Sequence, residues 1–206
     1  MKLLIAIPAH EEIPVVFVEC LLKLEARLRN DGIDFETKFN SGTLVYIARD
    51  KLANYAIDNG FTHVLWLDAD MVFNDSIVDD LMFSGKPFVS GICHARRPPF
   101  MSCVFKSLET LERFETYPPD TFEIAACGMA CVLMDVSILS SVRTAFQTCF
   151  LPTMKLGEDL AFCDRAKFLG FKIHAEPTVR LGHIAHVPVY QEDHERYMQS
   201  IEGGVK

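Results

Sequence analysis

An α/β domain with a mainly parallel central sheet flanked by helices is the fold class that this sequence predicts, on two observations. Short apolar runs bounded by Gly, Pro and Asn alternate with segments in which apolar residues recur every three or four positions. The 206 residues are also 50% hydrophobic and 23% charged, with the charges spread along the chain, as a single packed core requires.

The elements follow in order. Residues 2–8 (KLLIAIP) predict a buried strand stopped by Pro8. A helix starts near Pro14, carries Phe17, Leu21, Leu24 and Leu28 on one face, and ends at "NDG", 30–32. A weaker strand around 35–39 leads into "NSGT", 40–43, whose polar residues suit the cap of a helix bearing Leu44, Ala48, Leu52 and Ala56. Gly60 closes that helix, and "HVLWL", 63–67, reads as the third strand. A helix over about 75–82 and a strand "PFVSGI", 87–92, complete the alternation. Beyond it "ARRPP" and "TYPPD" break the pattern. Strands are expected at 101–105 and 121–134, and a helix over 158–169 with Phe162, Ala166 and Leu169 on one face and Gly170 as its stop.

Composition excludes several functions. A net charge of −8 and a pI near 5.3 argue against a broad basic surface for nucleic acid. The densest basic cluster, His94, Arg96 and Arg97 in "CHARRPP", leaves room for a phosphorylated acceptor. The apolar run of "MKLLIAIPAHEE" is too short for a signal-peptide core, and no later run approaches a membrane span, so a soluble cytoplasmic protein is expected. Seven scattered cysteines read as reduced, mostly buried thiols. Cys127 and Cys131 have a C-x3-C spacing, but no second pair matches it, and structural zinc is disfavoured.

The chemistry concentrates in "VLWLDADMVF", 64–73, where an apolar strand stops at Asp68 and Asp70. Ligands of open α/β sheets bind beyond the carboxyl ends of the strands. Residues two apart in an extended segment face the same way, so the two carboxylates are expected to converge, and converging carboxylates repel unless a cation lies between them. Oxygen ligands suit Mg²⁺ or Mn²⁺, which keep open positions for phosphate. Taken alone, "DAD" reads equally well as a solvated strand end in which Asp70 or Asn74 caps a helix.

With "LGEDLAFCDRAKFLGFKIHAEPTVRLGHIAH", 156–186, the set of motifs resembles the GT-A fold glycosyltransferases, especially short bacterial and phage-type members related to the large inverting family. The resemblance runs over nearly the whole chain. "IAIPAHEE", with Pro8, His10 and Glu11, matches the strand end that meets the nucleotide. "ARDKLANYA" supplies Arg49 and Asn54, "WLDADM" the DXD motif Asp68, Ala69 and Asp70, and "ACGMACVLM" the glycine-containing segment with Gly128. Glu158 and Asp159 match the acidic pair opening a helix, and His183 in "LGH" the late histidine.

The resemblance implies one Rossmann-like GT-A domain, with residues of about 1–92 as the nucleotide-binding half and about 93–206 as the acceptor side. It implies Mn²⁺ or Mg²⁺ held by Asp68, Asp70 and His183, with His186 competing for the last place. Asp159 is the implied base, tuned by Glu158, and Arg49 an implied phosphate contact. The donor is a nucleotide-diphosphate sugar, UDP favoured, and the acceptor a hydroxyl of a glycan, protein or small molecule. Inversion follows from a direct base; retention stays open. Glu11, where many relatives carry asparagine, and "KFNSG", which lacks an aspartate, depart from the pattern and touch the base and ribose contacts.

Two other readings compete. A sugar nucleotidyltransferase usually carries a Gly-rich basic loop near its N-terminus, and "PAHEEIP" has neither glycine nor lysine. A non-catalytic nucleotide-sugar-binding module is expected to have lost its base, whereas Asp159 is present. Each residue also has a purely structural explanation: Glu158 and Asp159 suit a helix N-terminus, Arg49 an exposed helix face, Trp66 the core, and Gly128 a close backbone approach. The sugar, the acceptor and the oligomeric state are not written in the sequence.

Overall fold

The computed structural model describes residues 1–9 and 12–185. His10, Glu11 and His186 therefore lie outside the described residues.

The chain forms β1 (Lys2–Pro8), α1 (Val15–Asn30), β2 (Asp34–Asn40), α2 (Val45–Asp58), β3 (His63–Leu67), β4 (Met71–Val72), α3 (Ile77–Phe83), β5 (Phe88–Gly91) and β6 (Val104–Phe105). It continues with β7 (Phe122–Ile124), β8 (Ala126–Cys127), β9 (Cys131–Asp135), α4 (Val136–Phe146), α5 (Glu158–Phe168), β10 (Ile173–Glu176) and β11 (Gly182–His183). Among the described residues, seven strands make one sheet in the order β2-β1-β3-β9-β5-β10-β7. Two small ribbons, β11-β4 and β6-β8, stand beside it.

The sheet is mixed rather than mainly parallel. β1 runs parallel to β2 and β3, and β10 to β5. β9 lies antiparallel between β3 and β5, and β7 antiparallel on β10. The physical reason for the discrepancy is that β9 is buried on both sides, and an apolar run carries no mark of its direction.

Side-chain alternation divides the core. Leu3, Ile5 and Ile7 of β1 face α1 and α3, while Leu4 and Ala6 face α2, α4 and α5. The four apolar residues expected on α1 are all buried. Trp66 lies fully in the core, its ring 5.1 Å from that of Phe150 in an edge-on contact.

Local differences are instructive. α2 starts without a side-chain cap bond, so "NSGT" does not serve it, and Leu44 sits outside the helix, exposed. Its stability comes instead from the buried stripe Ala48, Leu52, Ala53 and Ala56. α4 was not expected at all: it follows β9 without a loop, Asp135 being both the last strand residue and the N-cap. All seven cysteines are free thiols, and six are buried. Burial pushes the Cys131 thiol up to about 12, which suits an inert core thiol better than a zinc ligand. Among the described residues no helix is long and apolar enough to cross a membrane.

Candidate functional site

β1 and β3 lie side by side at the point where the chain turns outward in opposite directions, to β2 on one side and to the rest of the sheet on the other. Such a point opens a crevice at the carboxyl ends of the strands. Here it is a cavity of about 450 Å³ between Pro8 at the end of β1, Asp68, Ala69 and Asp70 after β3, Pro14 and Val45 where α1 and α2 begin, and Glu12 and Arg96.

The two aspartates line one cavity but take different partners. The strand ends at Leu67 and the chain turns, with the Met71 amide donating to the Asp68 carbonyl at 3.2 Å, so the alternation of an extended segment no longer applies. Asp68 accepts a 2.7 Å hydrogen bond from Nη2 of Arg49. Oδ2 of Asp70 lies 3.1 Å from Nη2 of Arg96 and 3.4 Å from Nε2 of His183.

His183 reaches Asp70 through a ribbon. β11 pairs antiparallel with β4, placing His183 opposite Met71, and the Ile184 amide donates to the Asp70 carbonyl at 2.9 Å. Gly182 permits this approach, since a Cβ there would stand 3.2 Å from Cβ of Val72. Nδ1 of His183 donates to the His94 carbonyl at 2.8 Å. That bond fixes the proton on Nδ1 and leaves the Nε2 lone pair facing Asp70 in the neutral ring.

Arg49 occupies a different position from the one expected of a phosphate contact. It is 3% exposed and sits behind the carboxylates, not in the cavity. Besides Asp68 it donates through Nη1 to the Met129 carbonyl at 3.4 Å, and its Nε is 3.7 Å from Oε1 of Glu158. That last distance is an ion pair without a hydrogen bond. One buried guanidinium thus ties the end of β3 to the start of α5.

Glu158 and Asp159 open α5. Burial raises the Asp159 carboxyl above the ordinary aspartate range, opposed by a 2.8 Å bond from the Leu160 amide and by Arg49. Glu158 is raised as well, by burial first and then by the charge of Asp159. Gly128 leaves space beside this pair: a Cβ there would lie 3.6 Å from Oδ2 of Asp159 and 3.4 Å from Cβ of Cys103.

Asn54 is not part of the site. Five residues beyond Arg49 it points about 140° away around α2, exposed, where it accepts from Arg143 of α4 at 3.1 Å. Among the described residues, no three His, Cys, Asp or Glu side chains form a ready metal cage. Of the residues expected to form a metal shell, Asp70 and His183 stand 3.4 Å apart, while Asp68 is paired with Arg49.

Three residues escaped the sequence reading. Glu12 lines the cavity. Arg96, expected only as part of a basic cluster open to a phosphorylated acceptor, lines the cavity and pairs with Asp70. Cys103, expected among reduced, mostly buried thiols, is half-buried and lowered to about 7, first by a hydrogen bond from Cys93 and then by Arg113 and His183. Only spatial proximity reveals such roles.

No family model matches this sequence, and no curated protein does. Among solved structures, the chain is similar to the crystal structure of A197 from STIV, with a TM-score of 0.63 and 16% identity over 90% of this chain and 87% of that one. The likeness is one of fold.

Proposed function

We infer that this protein is a metal-dependent glycosyltransferase that moves a sugar from a nucleotide-diphosphate sugar, UDP-sugar foremost, to a hydroxyl acceptor with inversion. The observation that carries the reading is the pair Asp70 and His183 at the mouth of the crevice. With Nδ1 already committed to the His94 carbonyl, Nε2 of His183 lies 3.4 Å from Oδ2 of Asp70, and an imidazole nitrogen beside a carboxylate oxygen is a donor set that can share a cation. Two protein ligands suit Mn²⁺ or Mg²⁺, which complete their shells with water and phosphate oxygens. Once bound, such a cation supplies positive charge to the departing diphosphate. The finer description of the domain as GT-A belongs to this same reading, supported by the parallel run β2-β1-β3 with α1 and α2 on opposite faces.

The residues of the chain divide the remaining work. Arg49 holds Asp68 at the cavity wall and faces Glu158, so the donor side and the base side share one rigid support. Asp159 accepts the proton of the acceptor hydroxyl as that oxygen attacks the anomeric carbon; its raised affinity for a proton suits it to that step. Gly128 keeps the space next to its carboxylate clear of a side chain.

The test is incubation with UDP-, GDP-, CDP-, ADP- and TDP-sugars, with Mn²⁺ or EDTA, following release of the nucleoside diphosphate to water or to an added sugar acceptor. One donor class is expected to be consumed, only with the metal. Binding without release in every case favours the non-catalytic module instead, and release of pyrophosphate from a nucleoside triphosphate and a sugar phosphate favours the nucleotidyltransferase.

A further inference from the structure

We propose that Arg96, which pairs with Asp70 in the structure, is a leaving-group residue that moves onto the donor's diphosphate when a divalent cation takes its place on that carboxylate. The proposal rests on the glycosyltransferase reading above and assigns a role to a residue outside the motifs that suggested it.

Arg96 sits at the tip of a hairpin whose base is held by the Cys103 amide donating to the Cys93 carbonyl and the Ala95 amide donating to the Met101 carbonyl, both at 2.9 Å. His94, in the same hairpin, gives its carbonyl to His183. The hairpin therefore both fixes the imidazole and carries a cation to the carboxylate beside it. The Arg96 side chain is half-exposed, so it can rotate without disturbing the core.

Competition for one oxygen drives the exchange. Arg96 and His183 both address Oδ2 of Asp70. A cation held by Asp70 and His183 would use that oxygen, and a guanidinium left beside a divalent ion would be repelled by its charge. Arg49 cannot replace it at the ligand, being buried behind Asp68. Among the described residues lining the cavity, Arg96 is the one cation, while Glu12, Asp68 and Asp70 are anionic. A diphosphate entering beside the metal is the anion that draws the released fork, whose planar geometry matches phosphate oxygens.

The test separates two affinities in the wild type, Arg96→Gln and Arg96→Lys. Mn²⁺ alone is titrated by electron paramagnetic resonance, and UDP, GDP, CDP, ADP and TDP by calorimetry at saturating Mn²⁺. Arg96→Gln is expected to bind Mn²⁺ more tightly, because the competitor is gone, and the preferred diphosphate about tenfold more weakly, the scale of one charge-assisted hydrogen bond. Arg96→Lys keeps a point charge without the fork and falls between. A merely structural role would move both affinities in the same direction. Unchanged or jointly weakened affinities, in a protein whose wild type binds a diphosphate with Mn²⁺, overturn the role of Arg96 and leave the function reading standing. A wild type that binds none of the five with Mn²⁺ overturns both.

Discussion

Asp159→Asn is expected to remove sugar transfer, by about 10²–10⁴-fold, while making the protein more stable at neutral pH. The amide cannot accept a proton, yet it keeps the oxygen that caps the Leu160 amide. Burial is the main reason the Asp159 carboxyl binds its proton more tightly than usual, so its charged form is a burden on the fold. A raised folded pKa contributes stability that is complete below the unfolded pKa and is lost as pH rises through the folded value. The variant should therefore melt a few degrees above the wild type at neutral pH, with the difference vanishing in acid. In the wild type the acid limb of kcat/KM should lie above the ordinary aspartate range, since transfer needs the carboxylate. A variant that transfers at the wild-type rate, or that melts lower, would contradict this role.

Arg49→Met is expected to be the most destabilising single change at the site, at about 3–5 kcal/mol. The methionine fills the buried space but leaves Asp68 and Glu158 facing each other's field, with Asp159 close by, and without the guanidinium that balances them. At about 2–4 °C per kcal/mol for a domain of this size, the midpoint should fall on the order of 10 °C. Adding Asp68→Asn to Arg49→Met removes one of the orphaned charges and should recover part of the loss. Urea denaturation of the single and double variants measures both effects. A loss below about 1 kcal/mol, the range of an exposed pair, would show that Arg49 is not the support of the site.

Much of the first half was legible because its signals are local. β1, α1 and α2 announce themselves by continuous or 3.6-periodic burial and by Pro8, Gly32 and Gly60 at or just past their ends, and β3 by its continuous apolar run. α4 was hidden because no turn separates it from β9. β10 was hidden because His174 and Glu176 interrupt it; both are buried, and Glu176 accepts hydrogen bonds from Thr121 and Thr178 that make its burial tolerable. The place of β9 between β3 and β5 is a long-range pairing that no local pattern records.

The site shows the same division. Asp68 and Asp70 were visible because carboxylates ending an apolar strand are costly without a partner. Their separate partners were not visible, since Arg49 lies 19 residues before Asp68 and His183 arrives through the two-residue ribbon β4-β11. Asn54 misled because the motif was matched along the sequence, while the helix turns it toward α4.

If Asp70 and His183 hold a cation that in turn holds a diphosphate, thermal melting of the wild type and Asp70→Ala with five nucleoside diphosphates, with and without Mn²⁺, will show it. The wild type should gain stability from one diphosphate only when Mn²⁺ is present, by about 2.7 kcal/mol at a hundredfold excess over Kd. Asp70→Ala should fold normally, having lost only partly exposed ion pairs, and show no such gain. A nucleotide shift that ignores the metal, or one that survives in Asp70→Ala, would contradict the account.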